Sequence, residues 1–296
     1  MKLEVSSFGR TRAGQRTLQG AARPFSWANV AKQVVMLLAV FLILLPAYFM
    51  VITPLKTQAA YSLSKLGFPA DVYLGNFVTA FRGGRFVLWF GNSIAMTAGS
   101  VLVSTVVSAL GAFAFARMSF RGRNPLLSVV TALMVIPPVV MLIPLFLLLS
   151  RVGLTSTYPG AILVYAGLIT PFAVYLLTNF FRTVPTEIVE SAMIDGASSM
   201  DVLVRILMPL SAPAIMTLIT VNALWVWNDL LIALVLLPED SMRTLMVGIT
   251  VFGARYNSDV PVSMAGMLMS SIPIFVLYMF GQRYFIRGLV AGALKS

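Results

Sequence analysis

Residues 183–209 read TVPTEIVESAMIDGASSMDVLVRILMP, and the rest of the chain is read outward from them. The stretch lies between long apolar segments, yet it carries Glu187, Glu190, Asp195, Asp201 and Arg205. Pro185 followed by good helix formers predicts a short helix. Gly196 stands where that helix ends, because a residue without Cβ readily takes the left-handed turn that closes a helix. Ser198 or Ser199 is then placed to cap a second helix, with Asp201 in its first turn. Ile188, Val189, Ala192 and Met193 share a face at three- and four-residue spacing. Small Ala192 and Gly196 would let another surface come close. The expectation is a compact amphipathic helix–turn–helix outside the bilayer, tied to apolar helices on both sides.

The apolar flanks belong to a chain of 296 residues that is 59% hydrophobic and 10% charged. Soluble domains carry about a quarter charged residues, so this composition points to an integral membrane protein. The chain has no Cys and no His. That removes disulfides, imidazole acid–base catalysis and the usual zinc or haem ligands, and no cofactor is expected. No Gly-rich loop ends in Gly-Lys-Ser/Thr, so a nucleotide used by this protein would be bound by another chain. The net charge of +11 is read as a topology signal, with no nucleic-acid partner.

Six spans are expected in an all-α membrane protein. Residues 1–32 are polar and basic and read as a cytoplasmic tail. Val34–Ile52 nearly spans a bilayer core of about 30 Å and reads as the first span; a cleaved signal peptide would have a shorter apolar region. Residues 53–88 are too polar to span and read as an external segment with short helices. Asn92–Ala116 is the second span. Ser93, Thr97, Ser100, Ser104 and Ser108 step along it, either as a pore wall or as a close helix–helix seam. Pro125–Leu149 is the third, expected to kink or unwind at Pro137, Pro138 and Pro144. Gly160–Phe181 is the fourth and Leu210–Leu237 the fifth. Residues 238–261 read as an external loop, and Val262–Phe280, interrupted by Pro273, as the sixth span. The segments on the side of the N-terminus hold fourteen Lys and Arg against seven on the other side. Both termini and the 183–209 loop are therefore expected in the cytoplasm.

The fifth span carries Asn222, Trp225, Trp227, Asn228 and Asp229. A charged group inside a span costs roughly 2.5–3.5 kcal/mol on insertion scales, so Asp229 should face a bundle interior or a wet cavity. Two roles remain open for Asn222, Trp225, Asn228 and Asp229: a substrate pathway, or a structural hydrogen bond to a neighbouring helix.

The central stretch resembles the cytoplasmic "EAA" loop of ABC importer permeases, in the residues Glu190-Ser191-Ala192, Gly196, Ile206 and Pro209. Ser191 replaces the first Ala of that pattern. Asp195-Gly196-Ala197, the Trp227-Asn228-Asp229 run and the tail Gly288–Lys295 are similar to the carbohydrate, maltose-type branch. The resemblance covers about residues 30–296 and implies a type I importer permease. Its six-helix domain would span 33–288, with a coupling loop at 183–209 and a cytoplasmic tail at 289–296. It also implies partners: a dimer of cytosolic ATPase subunits, a second homologous permease, an extracytoplasmic solute-binding protein and membrane lipid. The solute would be a sugar or oligosaccharide, and the location the inner membrane of a bacterium or archaeon, with several passes. Glu190, Ala192, Asp195, Gly196, Ala197, Ile206 and Pro209 would couple the loop to the ATPase. Glu190 would meet a basic group, Gly196 would allow the turn and Pro209 would start the fifth span. In the maltose system the other permease makes most sugar contacts. The loop near Gly253–Val260 stands where that system has an external loop that helps empty the binding protein.

The rival class is a secondary transporter or channel that works without an ATPase. It would need coupling charges or a filter-like loop at mid-membrane, and Asp229 is the one acid placed there. An enzyme is disfavoured: neither an aspartyl pair nor a Ser–His set is present.

Overall fold

The computed structural model describes residues 27–83, 85–255 and 259–293. The expected basic tail thus lies almost wholly outside the described residues, as do the last three residues of the expected C-terminal tail. The described chain is helical, with no strand. It divides into two compact units, one through Ala47 and one from Tyr48 onward.

The first unit is the start of α1 (Trp27–Ile52). Its side chains from Val34 to Leu45 are exposed and apolar, which suits a helix solvated by lipid rather than water. The 26 residues of the helix accommodate Pro46 without a break.

In the second unit, a 3₁₀ turn at Thr53–Leu55 leads to α2 (Gln58–Leu63) and α3 (Gly75–Gly83). The long helices α4 (Phe86–Arg117) and α7 (Tyr158–Thr183) pair along their length. Their seam is the serine stripe: Ser100, Ser104 and Ser108 are fully buried, and Thr170 Oγ1 lies 3.1 Å from Ser104 Oγ. A Cβ on Gly99 would sit 2.8 Å from Ile162 Cδ1. Small residues here let two helices approach, and of the two readings of the stripe the structure shows packing. Helix α4 begins at Phe86, six residues before the expected start of that span.

The third span unwinds at Pro137, as expected, while Pro144 lies within a continuous helix; the fifth span departs further from the expectation. The expected third span is two helices, α5 (Arg123–Ala132) with a 3₁₀ turn to Val135, and α6 (Pro138–Arg151), at 104° to each other. Ile136 precedes Pro137 and is driven to extended backbone (φ −76°, ψ 119°), which ends the helix instead of bending it. The expected fifth span is broken twice. Helices α9 (Ser199–Asp201) and α10 (Met208–Leu210) enclose a π-helical turn at Val202–Leu207. They meet α11 (Ala212–Asn228) at 78°, across a corner at the buried Ser211. Pro209 cannot donate to Arg205, and Met208 N–H reaches back five residues to Leu203. The fifth span therefore starts at Ala212, not at Pro209. It stops at Asn228, and a short α12 (Leu231–Leu236) follows.

Residues 238–261, expected as an external loop, contain α13 (Leu245–Arg255). Leu245, Val247, Ile249 and Phe252 are buried in it. Gly248 lies against Trp89, where a Cβ would fall 2.2 Å from the indole. The expected loop Gly253–Val260 is partly outside the described residues. Helix α14 (Val260–Ala293) runs through Pro273 and on to Ala293, well past the expected end at Phe280.

Candidate functional site

The 183–209 stretch folds as a knob on the end of the α4–α7 pair. Helix α8 (Thr186–Ile194) starts after Pro185 and ends in a Schellman turn. Gly196 holds φ +89°, its N–H donates to Met193 O (3.1 Å), and Ala197 N–H donates to Ala192 O (2.9 Å). Ser198 then caps α9 with a complete capping box: its Oγ accepts from Asp201 N–H at 3.1 Å, and Asp201 Oδ2 accepts from Ser198 N–H at 3.1 Å. Asp201 also pairs with Arg205 at 3.2 Å. The Ser198 hydroxyl, the Ser198 backbone N–H and the Arg205 charge, in that order, hold the Asp201 carboxyl below its ordinary pKa.

The underside of the knob is anchored. Val189, Val202, Leu203 and Leu207 are buried in a cluster with Ala109, Phe113, Leu177, Phe181 and Leu218. Each such side chain withdrawn from water contributes roughly 1.5–3 kcal/mol, enough together to make the knob move with the helices instead of swinging freely. Ala192, Ala197 and Ile206 pack against the same cluster. The outer surface is different. Ile194 is 85% exposed, Ile188, Met193 and Met200 are exposed around it, and Glu187, Glu190 and Asp195 rim the patch. Among the described residues Glu190 forms no ion pair. Of the seven expected coupling residues, Glu190, Asp195 and Gly196 are on this outer side. Pro209 is exposed at the corner, where α9 and α10 turn into α11.

A cross-brace ties the knob to the bundle, and sequence reasoning does not find it. Arg117, in the last turn of α4, donates through Nη2 to the carbonyls of Phe181 and Val184 at the end of α7. Arg182, in the last turn of α7, donates to Phe115 O of α4 at 3.3 Å. Each cation donates to carbonyls at the C-terminal end of the other helix, where Phe181 O also accepts from Val184 N–H. The one sequence signal for it is an Arg in the last turn of two helices that end on the same side.

The intramembrane polar group is split by the structure. Asp229 Oδ2 accepts from Tyr165 Oη at 2.7 Å and from the N–H groups of Ile232 and Ala233 at 3.0 and 3.1 Å. It thus caps α12 at the break in the span and joins it to α7. Asn228 is exposed and donates back to Leu224 O at 2.8 Å. Asn222 and Trp225 face elsewhere, into a cavity of about 700 Å³ between α6, α7 and α11. Asn222 is 3% exposed, and its Nδ2 has no protein partner. The rest of the cavity wall is mostly aliphatic, from Leu145, Leu149, Val164 and Leu168 among others. Among the described residues no cluster of side chains could hold a metal ion.

Residues 107–290 match the family described as binding-protein-dependent transport system inner membrane component. The chain is 39% identical over 85% of its length to a putative ABC transporter permease of a Caldicellulosiruptor species, covering 91% of that protein. It is 31% identical to the melibiose, raffinose and stachyose import permease of Bacillus subtilis, covering 85% of this chain and 91% of that one. It is 32% identical to the diacetylchitobiose uptake permease of Streptomyces coelicolor, covering 91% and 97%. A solved bacterial ABC transporter that imports alginate shares the fold with a TM-score of 0.77 at 24% identity, covering 88% of this chain and 99% of that one. The matched region contains the whole knob, its cross-brace and the broken fifth span: the chain belongs to the inner-membrane components of binding-protein-dependent transport systems and is a multi-pass permease subunit of an ABC importer.

Proposed function

We propose that this chain forms half of the translocation pathway of an ATP-driven importer for a sugar or oligosaccharide in the inner membrane of a bacterium or archaeon, with the 183–209 knob as its contact with the ATPase. The observation that carries the reading is the knob itself. It is rigid, anchored below by four buried aliphatic side chains, and bears above an exposed apolar cap rimmed by acids. A cytosolic ATPase that grips this cap and closes on ATP would move α7 and α11 together, because both ends of the knob are continuous with those helices. Glu190 and Asp195 supply charge for a basic cleft, Gly196 and Ala197 set the turn, Ala192 and Ile206 hold it to the bundle, and Pro209 stands at the corner that leads into α11. Both termini would lie on the same side as the knob, with six crossings between them.

Named cargoes of the relatives support the solute class: melibiose, raffinose and stachyose in one, diacetylchitobiose in another. The cavity chemistry fits a shared pathway. Trp225 offers a stacking face and Asn222 an amide, whereas a sugar needs many more hydrogen-bonding groups than this wall provides. The remainder would come from a second permease, with an extracytoplasmic binding protein delivering the solute.

The test is uptake and ATP hydrolysis measured together in proteoliposomes that hold the whole importer. Glu190→Arg should leave the complex assembled in the membrane while lowering solute moved per ATP. Uptake equal to the unsubstituted importer would contradict the coupling role.

A further inference from the structure

The segment after α1 presents an apolar face that coupling does not use. Leu63 is 89% exposed, Phe68 79% and Leu66 60%. These side chains sit on a rigid frame. Tyr48 Oη donates to Leu66 O at 2.7 Å, and the rings of Tyr48 and Phe68 meet edge-on at 5.5 Å. The rings of Phe49 and Tyr61 meet at 6.2 Å. Lys56, buried, donates from Nζ to Ser64 O (2.9 Å) and Lys65 O (3.1 Å), and Asn76 Nδ2 donates to the carbonyls of Pro54 and Lys56. Residues 61–68 are therefore folded back along the end of α1 instead of extending away from it.

That placement sets their depth. Tyr48 lies four residues before Ile52, the last residue of the apolar run, about 6 Å inside its end at 1.5 Å per residue. Whatever packs on Tyr48 and Phe49 shares that level, at the boundary of acyl chains and headgroups, where interfacial helices bury their apolar faces. Val51 of the same run is itself half exposed, so the face formed by Leu63, Leu66 and Phe68 continues a surface already turned to lipid. Two tyrosines, Tyr48 and Tyr61, stand in the cluster, as expected at a membrane interface. Lys65 is exposed beside Leu66, and a lysine at such a boundary can reach headgroup phosphate with its ammonium while its stem stays on apolar surface.

We infer that residues 61–68 form an interfacial collar, with Leu63, Leu66 and Phe68 inserted in the leaflet at the outer end of α1 and Lys65 directed to lipid phosphate. The segment that composition marks as external is thus a lipid-binding surface.

The chain has no Cys, so single-cysteine labels report one site each. The assembled importer, carrying Leu63→Cys or Phe68→Cys with a nitroxide label, is placed in lipid nanodiscs. Collision with oxygen and with a water-soluble nickel chelate is measured by power-saturation EPR. Ile43→Cys, in the lipid-facing run, and free label in buffer are the references, and the unsubstituted chain gives the background from partner subunits. The collar predicts an oxygen-to-nickel ratio several-fold above that of free label and close to that of Ile43→Cys. A ratio like that of free label puts the segment in water and overturns the inference. An immobilised label reached by neither reagent means that a protein covers the face, and overturns it equally. Phe68→Cys removes a ring from the frame, whereas Leu63 touches almost nothing, so Leu63→Cys decides if the two disagree.

Discussion

Gly196 turns the knob with φ +89°, and a Cβ added there would meet nothing within 4 Å. Within this chain the demand for glycine is thus one of backbone conformation, not of space. A β-carbon in the left-handed region costs roughly 1–2 kcal/mol, and Asn is the residue that tolerates it best. Gly196→Asn should therefore retain more ATP-coupled uptake than Gly196→Val, and equal losses in the two variants would point to crowding instead. Ser198→Ala removes an N-cap worth about 1 kcal/mol and should raise amide exchange at Asp201. The Asp201 carboxyl is held below its ordinary value of 3.8 by Ser198 and Arg205. As pH falls the unfolded segment takes up the proton first. The stabilisation is therefore complete above the ordinary aspartate range and is lost below it, as pH passes through the depressed value. Exchange protection at Asp201, corrected for intrinsic rate, should stay level from pH 8 to about 5. A loss near neutral pH would contradict the capping geometry. For Asp229 the bonds to Tyr165, Ile232 and Ala233 set the expectation. Asp229→Asn keeps an acceptor and should preserve uptake. Asp229→Ala leaves two N–H groups unpaired, at about 1–3 kcal/mol each, and should lower the yield of assembled importer.

Helices α4 and α7 act as one unit because their ends are cross-braced by Arg117 and Arg182. Motion given to the knob then enters α4 as well as the two helices that flank it in sequence. Arg117→Ala removes charge-assisted bonds worth roughly 1.5–3 kcal/mol, and should lower solute moved per ATP more than it lowers ATP hydrolysis itself. Arg117→Lys should restore part of the coupling, and no difference between the two variants would refute the brace. The knob is legible in the amino-acid sequence, since its signals are local: Gly196 at a helix end, Ser198 three residues before Asp201, and a four-residue apolar spacing. The serine stripe is equally legible as a seam, though not which helix it meets. The brace is not, because its partners are more than sixty residues apart and the acceptors are carbonyls, which leave no mark on side-chain pattern. The broken spans are half legible. Pro137 and Pro138 announce a weakness, but the 104° turn depends on how α6 packs beyond it. Nothing local marks α13 as buried: its cover comes from Trp89 and Phe86, far away in sequence.

The molecule joins the knob to the opposite end of the bundle through one continuous helix pair. At that opposite end Asn92 donates to Ser241 O and Arg243 O, both at 2.9 Å, and accepts from Tyr158 Oη at 2.8 Å; Ser93 Oγ accepts from Leu245 N–H. The loop before α13 is thereby fixed to α4 and α7, the helices that carry the knob at their other end. A push at the knob can reach the opposite end without passing through a flexible connection. Coupling requires that the importer's ATPase hold that knob. Ile194, 85% exposed at its tip, is the place to ask. Ile194→Cys in the intact importer should react slowly with a water-soluble maleimide, form a cross-link to the ATPase subunit with a short bifunctional reagent, and become freely reactive once that subunit is stripped away. A cysteine that labels at the same rate with and without the ATPase, and cross-links to nothing, would contradict it.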